Sequence, residues 1–135
     1  MAMGIVPEGT TLPPSNEGVA PWAQHPPALR ALMVRLQSAY AAMLDHADQH
    51  LGRLIGFLES SGQLDNTLIV VLSDNGASQE GGPLGFVNAM GPYNQFPEPP
   101  PDKIARIDDI GGPDTHSNFP WGWAQAANTP LKRYK

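Results

Sequence analysis

The sequence predicts an α/β fold with one long helix, one central strand and a long loop region. Apolar residues recur every three or four positions over residues 28–60, which predicts an amphipathic helix. Residues 67–72, Thr-Leu-Ile-Val-Val-Leu, form an unbroken apolar and β-branched run, typical of a strand buried on both faces of a parallel sheet. A single strand cannot form a sheet. We therefore expect this chain to be part of a larger domain.

Composition narrows the class of protein. The chain has 135 residues, enough for one modest domain, and a net charge of −5, which argues against a nucleic-acid partner. Cysteine is absent, so the chain has no disulfide, thiolate metal site or cysteine nucleophile of its own. It shows neither a signal peptide nor an apolar run of about 18 residues. We therefore expect no membrane partner and favour a cytoplasmic location.

The first two segments in chain order are a proline-rich arm and the long helix. Residues 1–27 predict an extended arm, because their prolines disfavour both helix and central strand. The helix follows, with Pro26 and Pro27 suited to its first turn. At 1.5 Å per residue it would be about 50 Å long, longer than a domain of this size is usually wide. This length also indicates a larger body.

Two histidines, His46 and His50, lie one turn apart on the predicted helix. Such a pair could hold a metal ion. His46, Asp48 and Gln49 lie mostly off the apolar stripe, so a solvated helix face is the preferred interpretation.

The predicted strand ends at Ser73-Asp74-Asn75-Gly76. Open α/β sheets bind ligands beyond the carboxyl ends of their strands, and Asp and Asn oxygens suit Ca²⁺ or Mg²⁺. The same four residues also make an ordinary turn. Residues 28–76 therefore predict a helix–strand unit carrying a candidate metal pair, Asp74 and Asn75.

Residues 77–135 predict a long loop insertion, and ordered loops of this length usually carry function. A short helix is expected over residues 103–110, with Asp102 as its cap. The aromatic-rich stretch that follows contains His116, Trp121 and Trp123. These side chains could line an aromatic substrate pocket, or the rings could form a small core under the loop.

Two stretches resemble motifs of the sulfatase family. Residues 62–67, with Gly62, Asp65, Asn66 and Thr67, lead through the apolar run to Ser-Asp-Asn-Gly and resemble the family's second metal motif. Residues 128–135, Asn-Thr-Pro-Leu-Lys-Arg-Tyr-Lys, look like its later Asn-Thr-Pro-x-Arg-x-x-Lys stretch. The likeness is to bacterial arylsulfatases and covers nearly the whole chain.

This resemblance implies a part of an alkaline-phosphatase-like α/β/α sandwich. It implies a Ca²⁺ site, with Ca²⁺ preferred over Mg²⁺, in which Asp74 and Asn75 are the later pair of ligands. Lys135 matches the lysine that contacts the sulfate, so it is the expected catalytic residue, and His116, Trp121 and Trp123 are expected to bind the substrate. The family's formylglycine nucleophile arises from Cys/Ser-x-Pro-x-Arg, which this chain lacks. We therefore expect the chain alone to be inactive.

The expected partners are a small-molecule sulfate ester and the remainder of the sulfatase domain, if that is supplied separately. Two alternatives stay open. The parent protein could be a phosphate or phosphonate ester hydrolase of the same superfamily, since the metal chemistry is shared. The chain could also be a non-catalytic interaction module, because an open strand edge recruits another chain.

Overall fold

The computed structural model describes Gly4 and residues 6–131, and this part of the chain is mainly helix and loop. It contains four α-helices, α1 (Pro27–Ser60), α2 (Met90–Tyr93), α3 (Pro100–Ala105) and α4 (Trp121–Asn128). Three short 3₁₀ helices span Trp22–Gln24, Leu64–Asn66 and Ile107–Asp109. None of the helices in the described residues is both long enough and apolar enough to cross a membrane.

The long helix α1 forms as the periodicity predicts, starting one residue earlier at Pro27. Proline is accepted there because the first turn needs no amide hydrogen. At the other end Gly62 takes a positive φ of 68°. The Gln63 amide then donates to the Leu58 carbonyl and the Gly62 amide to the Glu59 carbonyl, at 2.9 and 3.0 Å. This is a Schellman ending, which satisfies the last carbonyls of the helix.

The core lies on the first half of α1. Leu32 and Leu36 are fully buried against Val87 and Ile110. Partly buried apolar residues surround this group: Leu29, Ala39, Ile104, Ile107 and Phe119. From residue 41 onward α1 is exposed, apart from three half-buried side chains, Leu51, Ile55 and Leu58. One half of the helix is thus packed and the other is not.

The central strand expected over residues 67–72 is not formed. This run has no regular structure, and Leu68 and Val71 are 89% and 73% exposed. In the described residues, β pairing is limited to two isolated bridges, Phe86–Asn118 and Asn88–His116. A strand is stabilised by hydrogen bonds and side-chain pairs with neighbouring strands. In the described part of the chain no strand lies beside this run, so residues 67–72 do not form a strand despite their high β propensity.

The short helix expected over residues 103–110 is displaced. The structure has α3 at Pro100–Ala105 and then a 3₁₀ turn at Ile107–Asp109. Pro99 is the N-cap of α3, and Asp102 lies in the first turn instead of capping it. The physical reason is the proline pair that starts α3, because prolines fit a first helical turn.

A buried lysine ties α3 to the preceding loop. Lys103 is 5% exposed, and its Nζ donates to the Gly85 carbonyl at 2.6 Å and lies 5.2 Å from the centre of the Phe86 ring. Burial lowers the pKa of Lys103, and the negative charge of Glu98 opposes that shift. The Glu98 carboxylate also accepts the backbone amides of Val87 and Asn88, at 2.9 and 2.8 Å. Lys103 and Glu98 therefore fix the backbone between Gly85 and Asn88.

The N-terminal arm lies along α4. The Asn16 amide donates to the Gln125 side-chain oxygen at 2.9 Å, and Gly18, at φ +80°, lies against the Trp121 ring. The rings of Trp22 and Trp123 are 5.8 Å apart between centroids. The arm thus contacts the helix that follows the loop insertion.

Candidate functional site

An open cleft of about 1200 Å³ lies between α1 and two loop segments, residues 73–81 and 108–119. Its lining includes six residues whose charged, imidazole or amide side chains could bind a ligand: Arg35, His46, Asn75, Glu80, Asp108 and His116. The loop that carries the candidate metal pair therefore borders a cavity large enough for a small molecule.

The candidate metal pair is only part of a coordination shell. Asn75 lines the cleft and Asp74 is exposed, while Ser73 Oγ donates to the Asn75 carbonyl at 2.8 Å. In the described residues there is no group of three or more His, Asp or Glu residues that could hold a metal ion. The oxygens of Asp74 and Asn75 are the kind that Ca²⁺ prefers, but Ca²⁺ takes six to eight ligands. The assignment of these two residues to a metal remains a prediction.

Asn128 anchors the loop that carries the metal pair. Its Nδ2 donates to the Ala77 carbonyl at 2.8 Å and to the Ala124 carbonyl at 2.9 Å. Gly76 passes so close to Asn128 that a Cβ at position 76 would meet the Asn128 Oδ1 atom. The end of α4 and the Asp-Asn-Gly turn are therefore in contact across 51 residues of chain. The only sequence signal for Asn128 was its place at the start of the Asn-Thr-Pro stretch.

The three predicted substrate-binding residues have different surroundings. His116 is exposed and lines the cleft, and its carbonyl accepts the Ala89 amide at 2.8 Å. Trp121 donates its indole N–H to the Gln79 carbonyl at 2.6 Å, and Trp123 donates to the Met33 carbonyl at 3.0 Å. Both indole groups thus brace α4. A role for the three residues in binding substrate stays a prediction.

Trp123 faces a second, smaller cavity of about 380 Å³, which it lines together with Trp22, His25 and Met33. This cavity lies on the side of α4 where the arm packs. The structure thus brings His116 and Asn75 to one cleft and places Trp123 at another.

Arg35 was not expected at the site. It lies on α1, lines the cleft and donates through Nη2 to the Ile110 carbonyl at 2.8 Å. Among the described residues that line the cleft, it is the one arginine or lysine, and two acidic residues, Glu80 and Asp108, also line that cleft. No sequence pattern indicated a role for Arg35 at the site, because an arginine in an amphipathic helix usually lies on the face exposed to solvent. Lys135, the predicted sulfate-contacting lysine, lies outside the described residues.

Comparison with known proteins decides the family. The sequence model of the family named Sulfatase matches residues 9–129. This chain belongs to the sulfatase family. An uncharacterized sulfatase of Schizosaccharomyces pombe is 30% identical, with 98% of this chain aligned to 23% of that protein. An arylsulfatase of Klebsiella aerogenes is 29% identical, with 98% of this chain aligned to 27% of it. No solved structure matches the chain.

The sulfatase match confirms the resemblance drawn from the two motifs. The chain spans about a quarter of the length of these curated relatives. The matched residues include Asp74, Asn75, His116, Trp121 and Trp123, whereas Lys135 lies beyond the family match. Asn128, the first residue of the Asn-Thr-Pro stretch, thus holds the loop that follows the candidate metal pair through the Ala77 carbonyl.

Proposed function

We propose that this chain is the later part of the catalytic domain of an arylsulfatase, whose complete protein hydrolyses aryl sulfate esters. The observation that carries the proposal is the sulfatase match over residues 9–129, with the Asp74-Asn75 turn inside it. The turn lies at the edge of a cleft of about 1200 Å³ and is anchored by Asn128. The relative from Klebsiella aerogenes, named an arylsulfatase, supports the choice of aryl esters.

In the complete protein, residues 67–72 become the central strand of an alkaline-phosphatase-like α/β/α sandwich. Two observations support this: β-branched residues are enriched in strands whose faces are buried, and the side chains of residues 68–72 are exposed in this chain. The remainder of the domain is the partner that covers them. It also supplies the other Ca²⁺ ligands and the formylglycine nucleophile, so the chain alone is inactive.

The chemistry assigned to this chain is electrostatic. A bound Ca²⁺ ion would supply Lewis-acid chemistry, polarising the sulfate oxygens and favouring the ionised nucleophile. Asp74 and Asn75 would hold the ion through their side-chain oxygens, and Lys135 would offset the negative charge that develops on the ester. His116 lies on the cleft where the ester would bind. Trp121 and Trp123 hold α4 through their bonds to the Gln79 and Met33 carbonyls, and their contact with the substrate is part of the proposal.

Isothermal calorimetry with Ca²⁺ tests the metal assignment. We expect weak binding by the chain, because two ligands leave most of the Ca²⁺ shell to water. The double variant Asp74→Ala/Asn75→Ala should lose that binding, while far-UV dichroism shows an unchanged helix content. Binding that survives in the folded double variant would contradict the assignment.

A phosphate or phosphonate ester hydrolase of the same superfamily is the nearest alternative. The flanking coding sequence separates the two, because a sulfatase needs a Cys/Ser-x-Pro-x-Arg segment upstream. The complete protein should then hydrolyse 4-nitrophenyl sulfate faster than 4-nitrophenyl phosphate. The opposite preference would favour the alternative.

A non-catalytic interaction module is the alternative from another class. The exposed apolar run at residues 67–72 favours it, since such segments recruit a second chain. A reading frame that supplies the nucleophile motif would exclude it.

A further inference from the structure

A histidine pair lies on α1 that the proposed sulfatase chemistry does not use. His46 and His50 are both exposed, and their Nε2 atoms are 3.1 Å apart. Their rings meet edge to face with centroids 4.4 Å apart. His46 also lines the cleft that Asn75 borders. The two Nε2 atoms thus lie next to each other, beside a residue that lines this cleft.

The hydrogen bonds assign the proton on each ring. Arg53 Nη1 lies 3.1 Å from His50 Nδ1. A guanidinium can only donate, so His50 Nδ1 accepts, and the His50 proton is on Nε2. His50 Nε2 therefore donates to His46 Nε2, which leaves the His46 proton on its Nδ1. His46 Nε2 thus carries a lone pair that a metal ion could accept, whereas His50 must first transfer its proton from Nε2 to Nδ1, the nitrogen that Arg53 contacts.

This spacing fits chelation of one metal ion by both rings. Imidazole nitrogens lie about 2.05 Å from Zn²⁺. Two nitrogens 3.1 Å apart then subtend about 98° at the ion, between the 90° of an octahedral site and the roughly 109° of a tetrahedral site. Histidines at i and i+4 of a helix are a known metal-binding arrangement.

We propose that His46 and His50 form a two-histidine site on α1 for a divalent transition-metal ion of the Zn²⁺, Ni²⁺ and Cu²⁺ class. Imidazole nitrogen suits these ions, whereas Ca²⁺ takes oxygen ligands. The site is therefore chemically distinct from the Asp74–Asn75 pair. Water completes its coordination, because the described residues place no third His, Asp or Glu there.

Arg53 restrains this site. When His50 binds a metal through Nε2, its remaining proton must move to Nδ1, and that nitrogen can no longer accept from Arg53. Metal binding thus breaks the 3.1 Å contact and places the N–H of His50 Nδ1 against a guanidinium, whose charge has the same sign as that of the metal ion. Removing Arg53 should strengthen metal binding without adding any ligand.

Calorimetric titration of the full chain with ZnCl₂ tests the site. We expect one ion per chain, and a loss of at least about tenfold in affinity for His46→Ala and for His50→Ala, because each removes one of two ligands. His25→Ala, which removes a histidine elsewhere, is the matched control and should bind as the parent does. Both test positions are exposed on a helix, and alanine favours helix, so the variants should keep the parent's dichroism spectrum. Equal Zn²⁺ affinity in the parent and the single variants would overturn the proposal.

Arg53→Ala tests the proton assignment separately. We expect Zn²⁺ affinity to rise severalfold, whereas Arg30→Ala, which removes the same charge from the start of α1, should leave it unchanged. Unchanged or weaker binding by Arg53→Ala would overturn the assigned proton positions. A Ca²⁺ titration that is identical in the parent and in His46→Ala keeps this result independent of the sulfatase proposal.

Discussion

Asn128→Ala should destabilise the folded chain by detaching the metal-motif loop from α4. The substitution removes two hydrogen bonds, to the Ala77 and Ala124 carbonyls at 2.8 and 2.9 Å. Each such bond contributes about 0.5–1.5 kcal/mol net. Asn128 is half-buried, so we expect a loss of about 1–2 kcal/mol in the free energy of unfolding. That is a sizeable share of the roughly 5–15 kcal/mol that holds a domain folded.

Urea denaturation followed by far-UV dichroism measures this loss as a shift of the midpoint at constant slope. Asn94→Ala is the matched control, because Asn94 Nδ2 makes a single 2.7 Å bond to the Met90 carbonyl within an exposed turn. It should cost no more than about 0.5 kcal/mol. Equal losses for the two variants would refute the view that Asn128 is a tether between distant segments.

Asn128→Asp separates the donor from the shape of the side chain. Aspartate has nearly the same size, but its ionised carboxylate cannot donate and would face two carbonyl oxygens. It should therefore destabilise the chain at least as much as Asn128→Ala does. If Asn128→Asp unfolds at the parent's urea midpoint, then the amide donor is not what holds the loop.

Three further predictions concern packing, exposure and charge. Gly81→Ala should lower the free energy of unfolding by about 3 kcal/mol in a urea titration, because the new Cβ would meet the Phe119 carbonyl oxygen and the backbone would have to shift. An unchanged urea midpoint would contradict this close approach. Val71→Lys should change the midpoint by less than about 0.5 kcal/mol, since Val71 is 73% exposed, and a large loss would mean that the run is covered. Burial lowers the pKa of Lys103 below 10.5, so the unfolded chain binds the Lys103 proton more tightly than the folded chain does. The free energy of unfolding should therefore rise as the pH increases towards 10.5. Lys103→Met should abolish this rise.

The elements that could be predicted from the sequence are those specified by nearby residues. The 3-and-4 spacing of apolar residues and the leading prolines define α1 to within one residue, and Gly62 marks its end. The composition of residues 67–72 predicts a strand, but a strand forms only when neighbouring strands pair with it, and composition does not show whether such strands are present.

The features that escaped prediction depend on contacts between distant residues. The burial of Lys103 depends on Gly85, and the role of Asn128 depends on Ala77, 51 residues away. Lysine and asparagine are ordinarily surface residues, so neither looks unusual in the sequence. Likewise, His46 and Asn75 meet at one cleft only because the loop folds back over α1.

Nine of the sixteen large apolar side chains that are exposed in the described residues lie between Met43 and Leu72. They are Met43, Leu44, Leu54, Phe57 and the five apolar residues of the run 68–72. A folded protein rarely exposes so much contiguous apolar surface without a partner, and the curated relatives are about four times longer than this chain. We infer that the rest of the sulfatase domain covers this stretch. Asp74 lies two residues after Leu72, so covering the stretch would also fix the position of the candidate metal pair. Ca²⁺ should therefore bind far more tightly to the complete protein than to this chain, and equal affinities would contradict that coupling.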